Sequence, residues 1–556
     1  MRQNRFKHAV NVLYLSTLLV CFVLTFQSCM TTLVRETGPE LEELLDADVN
    51  TIDNISLNAL SQHEPITIDE GAREQKAELL SRNRSGKVVL LDLAGIRAAA
   101  LVNNLDLKVD MMSPSIAKEL WLEERAKFEA VFFGGIQYTY SHTPTASQLV
   151  GAQSSMTRYE AGFRQPLPTG GEIAISQPGG RFDTDNQWST LNPSFETDLR
   201  FSFSQQLLRG AGLKTNTHSL RVARLQQKIT DAQIKLQAIR VLAEADRAYW
   251  RVYGASQAVQ VSQQQYKIAL RQLSEAKLRV KSKAAAQIEI VRAESGVAAR
   301  LENIILSLTN LRLYERNLKR IMNRADLPID ATTAIVPMTE PSPLGLKLNP
   351  RELAHFAVGN RMEMLELELR LAVDESSIDF ARNGKLPYLL LDYSYNINGL
   401  GSSYGKAYDQ IRNADFADWS IGLRGEIPLG NKAANARLRQ ALLTKAQRLA
   451  TREQRQQAIE QEVYDAIDLL DQNWQRILAS RQDVLFAART YEAERKQFEL
   501  GVRTSTDVLY AAERLALAQL REIQALVDHQ IAQVDIAYAT GTLLGEARVE
   551  WEAAEG

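Results

Sequence analysis

Two hydrophobic periods share this chain. Where apolar residues recur every second position, one face is aromatic-rich and the other polar. Ile136, Tyr138 and Tyr140 alternate with Gln137, Thr139 and Ser141; Leu199, Phe201 and Phe203 alternate with Asp198, Arg200, Ser202 and Ser204. Further on, Leu391, Tyr393, Tyr395 and Ile397 alternate with Asp392, Ser394, Asn396 and Asn398, and Trp419, Ile421 and Leu423 with Ser420, Arg424 and Glu426. A period of two predicts strands, so four strands are expected, two ahead of each helical region. Tyr159, Ala161 and Phe163 form a further alternating run, followed by a Pro166–Gly171 turn and by Ile173 and Ile175. This run, 157–176, predicts either an extra hairpin or a strand prolonged beyond the others.

Between these runs the pattern changes. Ser194 to Leu327 and Leu429 to the C-terminus contain no proline, and both are rich in Ala, Gln, Glu, Arg and Leu. Strong helix formers with almost no breakers predict helices over Ser219–Lys281, Ala285–Arg324, Ala433–Leu500 and Ser505–Leu544. A helix of about 60 residues spans roughly 90 Å at ~1.5 Å per residue, well beyond the size of a globular core, so it must pack along partners for its whole length.

The two halves repeat. Setting Gly501 on Lys283 places Phe498-Glu499-Leu500-Gly501 on Val280-Lys281-Ser282-Lys283, Asp507-Val508-Leu509 on Glu289-Ile290-Val291, and Ala466 on Ala248. The expected layout is a first repeat over 88–327, a proline-bearing connector over 328–350, a second repeat over 351–545 and a short tail over 546–556.

The N-terminus changes the picture of where the protein resides. Arg2, Arg5 and Lys7 precede an apolar stretch from Val10 to Phe26, and Ser28-Cys29 follows. This is the layout of a secretory signal over 1–28, of the lipoprotein kind in which Cys29 becomes the acylated first residue. The acid-rich, aperiodic stretch 29–87 predicts an extension with little core of its own. A half-buried soluble sheet would give the same strand alternation, but an exported chain with helices this long favours strands facing lipid outside and water inside.

Composition removes other classes. With a formal net charge of −2 and 24% charged residues there is no basic surface for nucleic acid. Both cysteines, Cys21 and Cys29, lie in the leader, the six histidines are scattered, and no nucleophile elbow or phosphate-binding glycine loop appears. No catalytic, metal or cofactor site is expected, and an enzyme is the least favoured reading.

Three motifs carry a resemblance to the TolC-like outer-membrane efflux proteins over most of Val88 to Leu544. Glu426-Ile427-Pro428-Leu429-Gly430-Asn431, with Ala433 and Arg437, is similar to that family's turn from a last strand into a long helix. Phe498 through Leu509 resembles its tight turn between paired helices, and Gln205-Gln206-Leu207-Leu208-Arg209-Gly210 the matching strand-to-helix junction of the first half. The resemblance implies a mixed α and β membrane protein: a homotrimer whose copies each give four transmembrane strands to a shared twelve-stranded β-barrel, continued by a periplasmic barrel of helical hairpins. It implies a passive conduit across the outer membrane, with a periplasmic adaptor and an inner-membrane transporter as partners. Four strands cannot close a barrel, and open edges are not tolerated in lipid, so closure by several chains is expected on physical grounds too.

The resemblance also implies where the conduit closes. Asp507 matches an acidic ring position at the periplasmic mouth, Arg503 matches the gate arginine, and Glu289 stands for an aspartate of the first-repeat turn. Phe498 replaces the gate tyrosine, Tyr510 a second aspartate and Lys283 the turn glycine, with Lys281 beside it. The turns themselves, with Lys281, Lys283, Gly501, Val502 and Thr504, are the expected docking points for the adaptor. The duct of a type I protein-secretion system and a non-pore periplasmic coiled-coil scaffold lipoprotein are the alternatives.

Overall fold

The structure, a computed structural model, describes residues 88–146 and 150–547. The leader, Cys29, the 29–87 extension and most of the tail lie outside the described residues. The first half comprises β1 (Val88–Leu91), α1 (Leu93–Asn103), α2 (Leu105–Asp110), α3 (Ser113–Ala126), β2 (Val131–His142), β3 (Gln153–Pro166), β4 (Gly171–Thr184), β5 (Ser194–Gln206), α4 (Leu213–Asn216), α5 (His218–Lys281) and α6 (Ile288–Met322). The second comprises β6 (Ala334–Pro337), α7 (Pro350–Asn360), α8 (Met362–Asn383), β7 (Tyr388–Gly401), α9 (Tyr404–Asn413), β8 (Ala417–Glu426), α10 (Lys432–Glu499), α11 (Ser505–Thr540) and α12 (Leu543–Glu546).

The long helices lie where propensity places them. α5 has 64 residues and α10 has 68, each about 100 Å at ~1.5 Å per residue. Each folds back on a shorter partner, α6 or α11, and α11 packs along α5 to join the two hairpins. Ion pairs mark these seams: Lys277–Glu294 at 3.4 Å within the first hairpin, Asp483–Arg521 at 3.1 Å within the second, and Arg300–Glu513 at 3.1 Å between them.

The main core forms midway along α5. Tyr249, Trp250 and Val252 are buried against Ile96, Ala100 and Leu107 of α1 and α2, against Leu318 and Met322 of α6, and against Ile335 of β6. β1 and β6 pair in parallel here, so the 328–350 connector is bonded back onto the first repeat. Arg97 donates to both carboxylate oxygens of the fully buried Asp246, at 2.7–3.1 Å. Burial pushes the Asp246 carboxyl up, and the Arg97 fork opposes that shift. The short helices α1 and α2, which pack onto this core, and α3 were not legible as separate elements.

The run at 157–176, open between two readings in the sequence, is an extra hairpin. The sheet has six antiparallel strands in the order β2-β3-β4-β5-β7-β8. The run at Tyr159–Ile175 is a complete hairpin, β3–β4, paired along its length with β2 on one side and β5 on the other. The register puts Ile136 opposite Tyr159, Phe163 opposite Ile175, Ile175 opposite Phe201, Phe201 opposite Tyr395 and Tyr395 opposite Trp419. One face of the whole sheet is therefore apolar and aromatic. On the two edge strands it is bare, with Ile136 79% exposed, Trp419 67% and Ile421 64%, while α9 packs against part of it over β3 to β5. Water would not tolerate so large an apolar surface, whereas lipid would. Among the described residues no helix is long and apolar enough to cross a membrane.

Candidate functional site

The ends of the two helical hairpins are built alike. After α5 the chain reverses with Lys283 N–H donating to Val280 C=O at 3.0 Å and Ala284 N–H to Arg279 C=O at 2.8 Å. After α10, Gly501 N–H donates to Phe498 C=O at 3.0 Å and Val502 N–H to Gln497 C=O at 2.9 Å. The second bond of each pair is the long return bond of a Schellman turn, which needs a left-handed residue. Gly501 supplies it at φ +79°, and Lys283 at φ +60°. The repeat register drawn from sequence thus lands on the same backbone position in both halves, but one half uses a residue with a Cβ.

Within this frame Asp507 and Arg503 take separate partners. The Asp507 carboxylate accepts from Thr504 N–H at 3.0 Å and from the Thr504 hydroxyl at 2.8 Å, completing a capping box at the start of α11. Those bonds hold its carboxyl below the usual range. Arg503 turns the other way, donating to Gln497 Oε1 at 3.1 Å and lying 3.3 Å from Glu494. Glu289 sits in the first turn of α6, paired with Arg292 at 2.9 Å. Tyr510, Lys281, Lys283, Gly501, Val502 and Thr504 are exposed. Leu500 and Val502 present apolar side chains at 80% and 73% exposure on the tip itself.

The connection between the two turns is made by a residue that the sequence reading did not single out. Arg279, in the last turn of α5, lies with its guanidinium 3.8 Å from the centre of the Phe498 ring and donates to Phe498 C=O at 2.9 Å. Phe498 is only 4% exposed. The aromatic ring that lacks the gate hydroxyl is therefore the platform for a cation from the other hairpin. In the repeat register Arg279 falls on Gln497, so no internal match points to it.

The polar face of the sheet is the second candidate surface. Arg158 and Glu160 of β3 and Glu196, Asp198 and Arg200 of β5 line a cleft of about 640 Å³. Beside it Arg200 donates to Asn396 at 3.1 Å, and Asn396 donates to Asp418 at 2.8 Å. Fixed charges of both signs thus face the side opposite the aromatic one. Among the described residues no cluster could hold a metal ion.

The family model for outer membrane efflux proteins matches residues 353–542, which cover α7 to α11 and include the second turn. The chain is TolC-like. Its place is the outer membrane, extending into the periplasm. It is 24% identical to the outer membrane protein TolC of Salmonella enteritidis over 324 residues, 57% of this chain and 65% of that protein. It is likewise 24% identical to TolC of Escherichia coli strain K12 over 334 residues, 58% and 66% of the two. The chain thus spans just under two thirds of the length of these relatives. Among solved structures, CusC superposes with a TM-score of 0.61 at 16% identity, covering 81% of this chain and 92% of that one. The Campylobacter jejuni CmeC outer membrane channel gives 0.61 at 14% identity, covering 84% and 87%. These likenesses establish a common fold.

Proposed function

We propose that copies of this TolC-like chain form a homotrimeric export duct: a β-barrel in the outer membrane continued by a helical tube in the periplasm. The duct carries substrates passively, handed over by an inner-membrane transporter and a periplasmic adaptor. The observation that carries this reading is the junction in one chain of a bare aromatic sheet face with two helices of about 100 Å. Neither is stable alone. The sheet requires lipid on one side and closed edges, and the helices require neighbours along their length.

The paired turns then form the lower mouth. Asp507, Arg503 and Glu289, repeated around a narrow opening, would set its charge, and the stack of Arg279 on Phe498 would hold the two hairpins of each copy together in the closed state. The bare Leu500 and Val502, flanked on the other turn by Lys281 and Lys283, suit an adaptor's helical tip that offers apolar and acidic groups. Lipid at Cys29 would add an anchor. The test is purification from outer membranes, imaging in detergent, and conductance in planar bilayers. A gated conductance from a tubular oligomer is expected. A water-soluble chain without conductance would refute the reading.

A further inference from the structure

The β3–β4 hairpin has a consequence for the barrel itself. We infer that each copy contributes six strands to the membrane wall, so that a ring of three holds eighteen strands instead of twelve. This rests on the duct reading above.

β3 and β4 are 14 residues each and pair with β2, with each other and with β5 without leaving the sheet. If the hairpin were folded aside as a flap, the ladders that β3 makes with β2 and β4 makes with β5 would be lost, and β2 and β5 would have to re-pair with each other. The side chains agree. Tyr159, Ala161 and Phe163 continue the apolar face of β2, and Ile173 and Ile175 stand opposite Phe203 and Phe201. On the other face Arg158 and Glu160 join Glu196, Asp198 and Arg200 around one cleft.

Where the outward face of β4 becomes polar, it is covered. Gln177 donates to the Tyr408 hydroxyl at 2.5 Å, and Tyr404 packs 4.7 Å from Phe195 and 5.9 Å from Tyr159. Both tyrosines belong to α9, which lies close because Gly399 has no Cβ; an added one would sit 2.2 Å from Ala407 O. A strand of 14 residues is about 46 Å long at ~3.3 Å per residue and rises roughly 35 Å at a tilt of ~40°. That exceeds an apolar band of ~25 Å, so α9 and the polar upper ends fall at the outer rim.

The two free edges fit each other. β2 runs away from the helical end and β8 runs towards it, so β8 of one copy meets β2 of the next antiparallel, as a closed wall requires. At a strand spacing of ~4.8 Å and a tilt of ~40°, twelve strands give a backbone radius of roughly 12 Å and eighteen give roughly 18 Å. The cross-section enclosed by the wall therefore rises about twofold, ringed by mixed charges.

Electron cryomicroscopy of the full chain in lipid nanodiscs tests this by counting strands per copy. Six per copy, with a wall radius near 18 Å in a three-copy ring, is expected. Four per copy, with β3–β4 outside the wall, overturns the inference while leaving the duct intact; the absence of any barrel overturns both. A second chain lacking residues 146–190 brings β2 and β5 together as antiparallel neighbours. Its wall should narrow to about 12 Å, and a wall of unchanged radius would refute the insertion.

Discussion

Removing the Arg279 side chain isolates one contact between the two hairpins, the one at their turns. The guanidinium makes a cation–π contact at 3.8 Å to Phe498 and a charged hydrogen bond at 2.9 Å to its carbonyl. Such contacts contribute about 0.5–2 kcal/mol for the stack and about 1.5–3 kcal/mol for the bond. Arg279 is only partly buried, which places the pair near the lower end of the sum, about 2–3 kcal/mol per copy. If opening separates the turns, Arg279→Ala shifts the closed–open balance roughly 30- to 150-fold per copy. Resting open probability in planar bilayers reads this directly. Arg279→Lys keeps the charge but not the planar fork, so it should fall between wild type and Arg279→Ala. Phe498→Leu removes the ring and spares the carbonyl, and should lose only the smaller part. An unchanged open probability in Arg279→Ala, beside a raised one in Arg503→Ala, would show that the mouth is held without this contact.

Four other changes probe the same architecture. Lys283→Gly relieves a left-handed residue and should stabilise the first turn by about 1 kcal/mol; amide exchange at Ala284 should slow about fivefold, and faster exchange would contradict it. Thr504→Ala removes the cap of α11 and should cost about 1 kcal/mol, read as faster exchange at the Asp507 amide. Glu363 is driven up by burial but more strongly down by Arg361 and Arg455, to about 2. Its contribution, of order 3 kcal/mol, is present above pH ~4.5 and lost as the pH falls towards 2. Glu363→Gln should therefore lower the melting temperature at neutral pH and flatten its fall on acidification; an identical acid profile would count against the network. Cys29→Ala should abolish incorporation of labelled lipid, and undiminished labelling would exclude the anchor.

Much of the fold was legible because it is periodic. Uninterrupted helix formers from Ser219 and from Ala433 gave helices whose ends differ from the observed ones by a few residues. The alternation at Ile136, Phe201, Tyr395 and Trp419 gave strands whose aromatic residues share one face of the sheet. β3 and β4 were harder to place. The outward face of β4 passes from Ile173 and Ile175 to Gln177, Gly179 and Arg181, and those positions lose their lipid-facing character where α9 lies over them. A tertiary cover had erased the period. The short helices α1 and α2 were missed for a related reason, since they owe their burial to Tyr249 and Met322 far along the chain.

At the mouth, sequence and structure part over what a repeat preserves. Duplication kept the backbone: Lys283 and Gly501 occupy the same left-handed position and close the same hydrogen bonds, although only glycine does so without a steric cost. It did not keep the side-chain contacts. Arg279 aligns with Gln497, and each has a partner at the second turn: Arg279 grips Phe498, while Gln497 receives Arg503. A contact between unlike repeats leaves no trace in a self-alignment, so nothing in the repeat register points to Arg279; Arg503 and Asp507 are proposed from the family resemblance alone. The asymmetry has a mechanical consequence. Because Arg279 is anchored on the first hairpin and Phe498 on the second, movement of one turn against the other must break both the stack and the hydrogen bond. Arg503 and Asp507, bonded within the second turn and its adjoining helices, can move with it intact. Within one copy, resistance to opening should therefore reside at Arg279, while Arg503 and Asp507 set the shape and charge of the edge that opens.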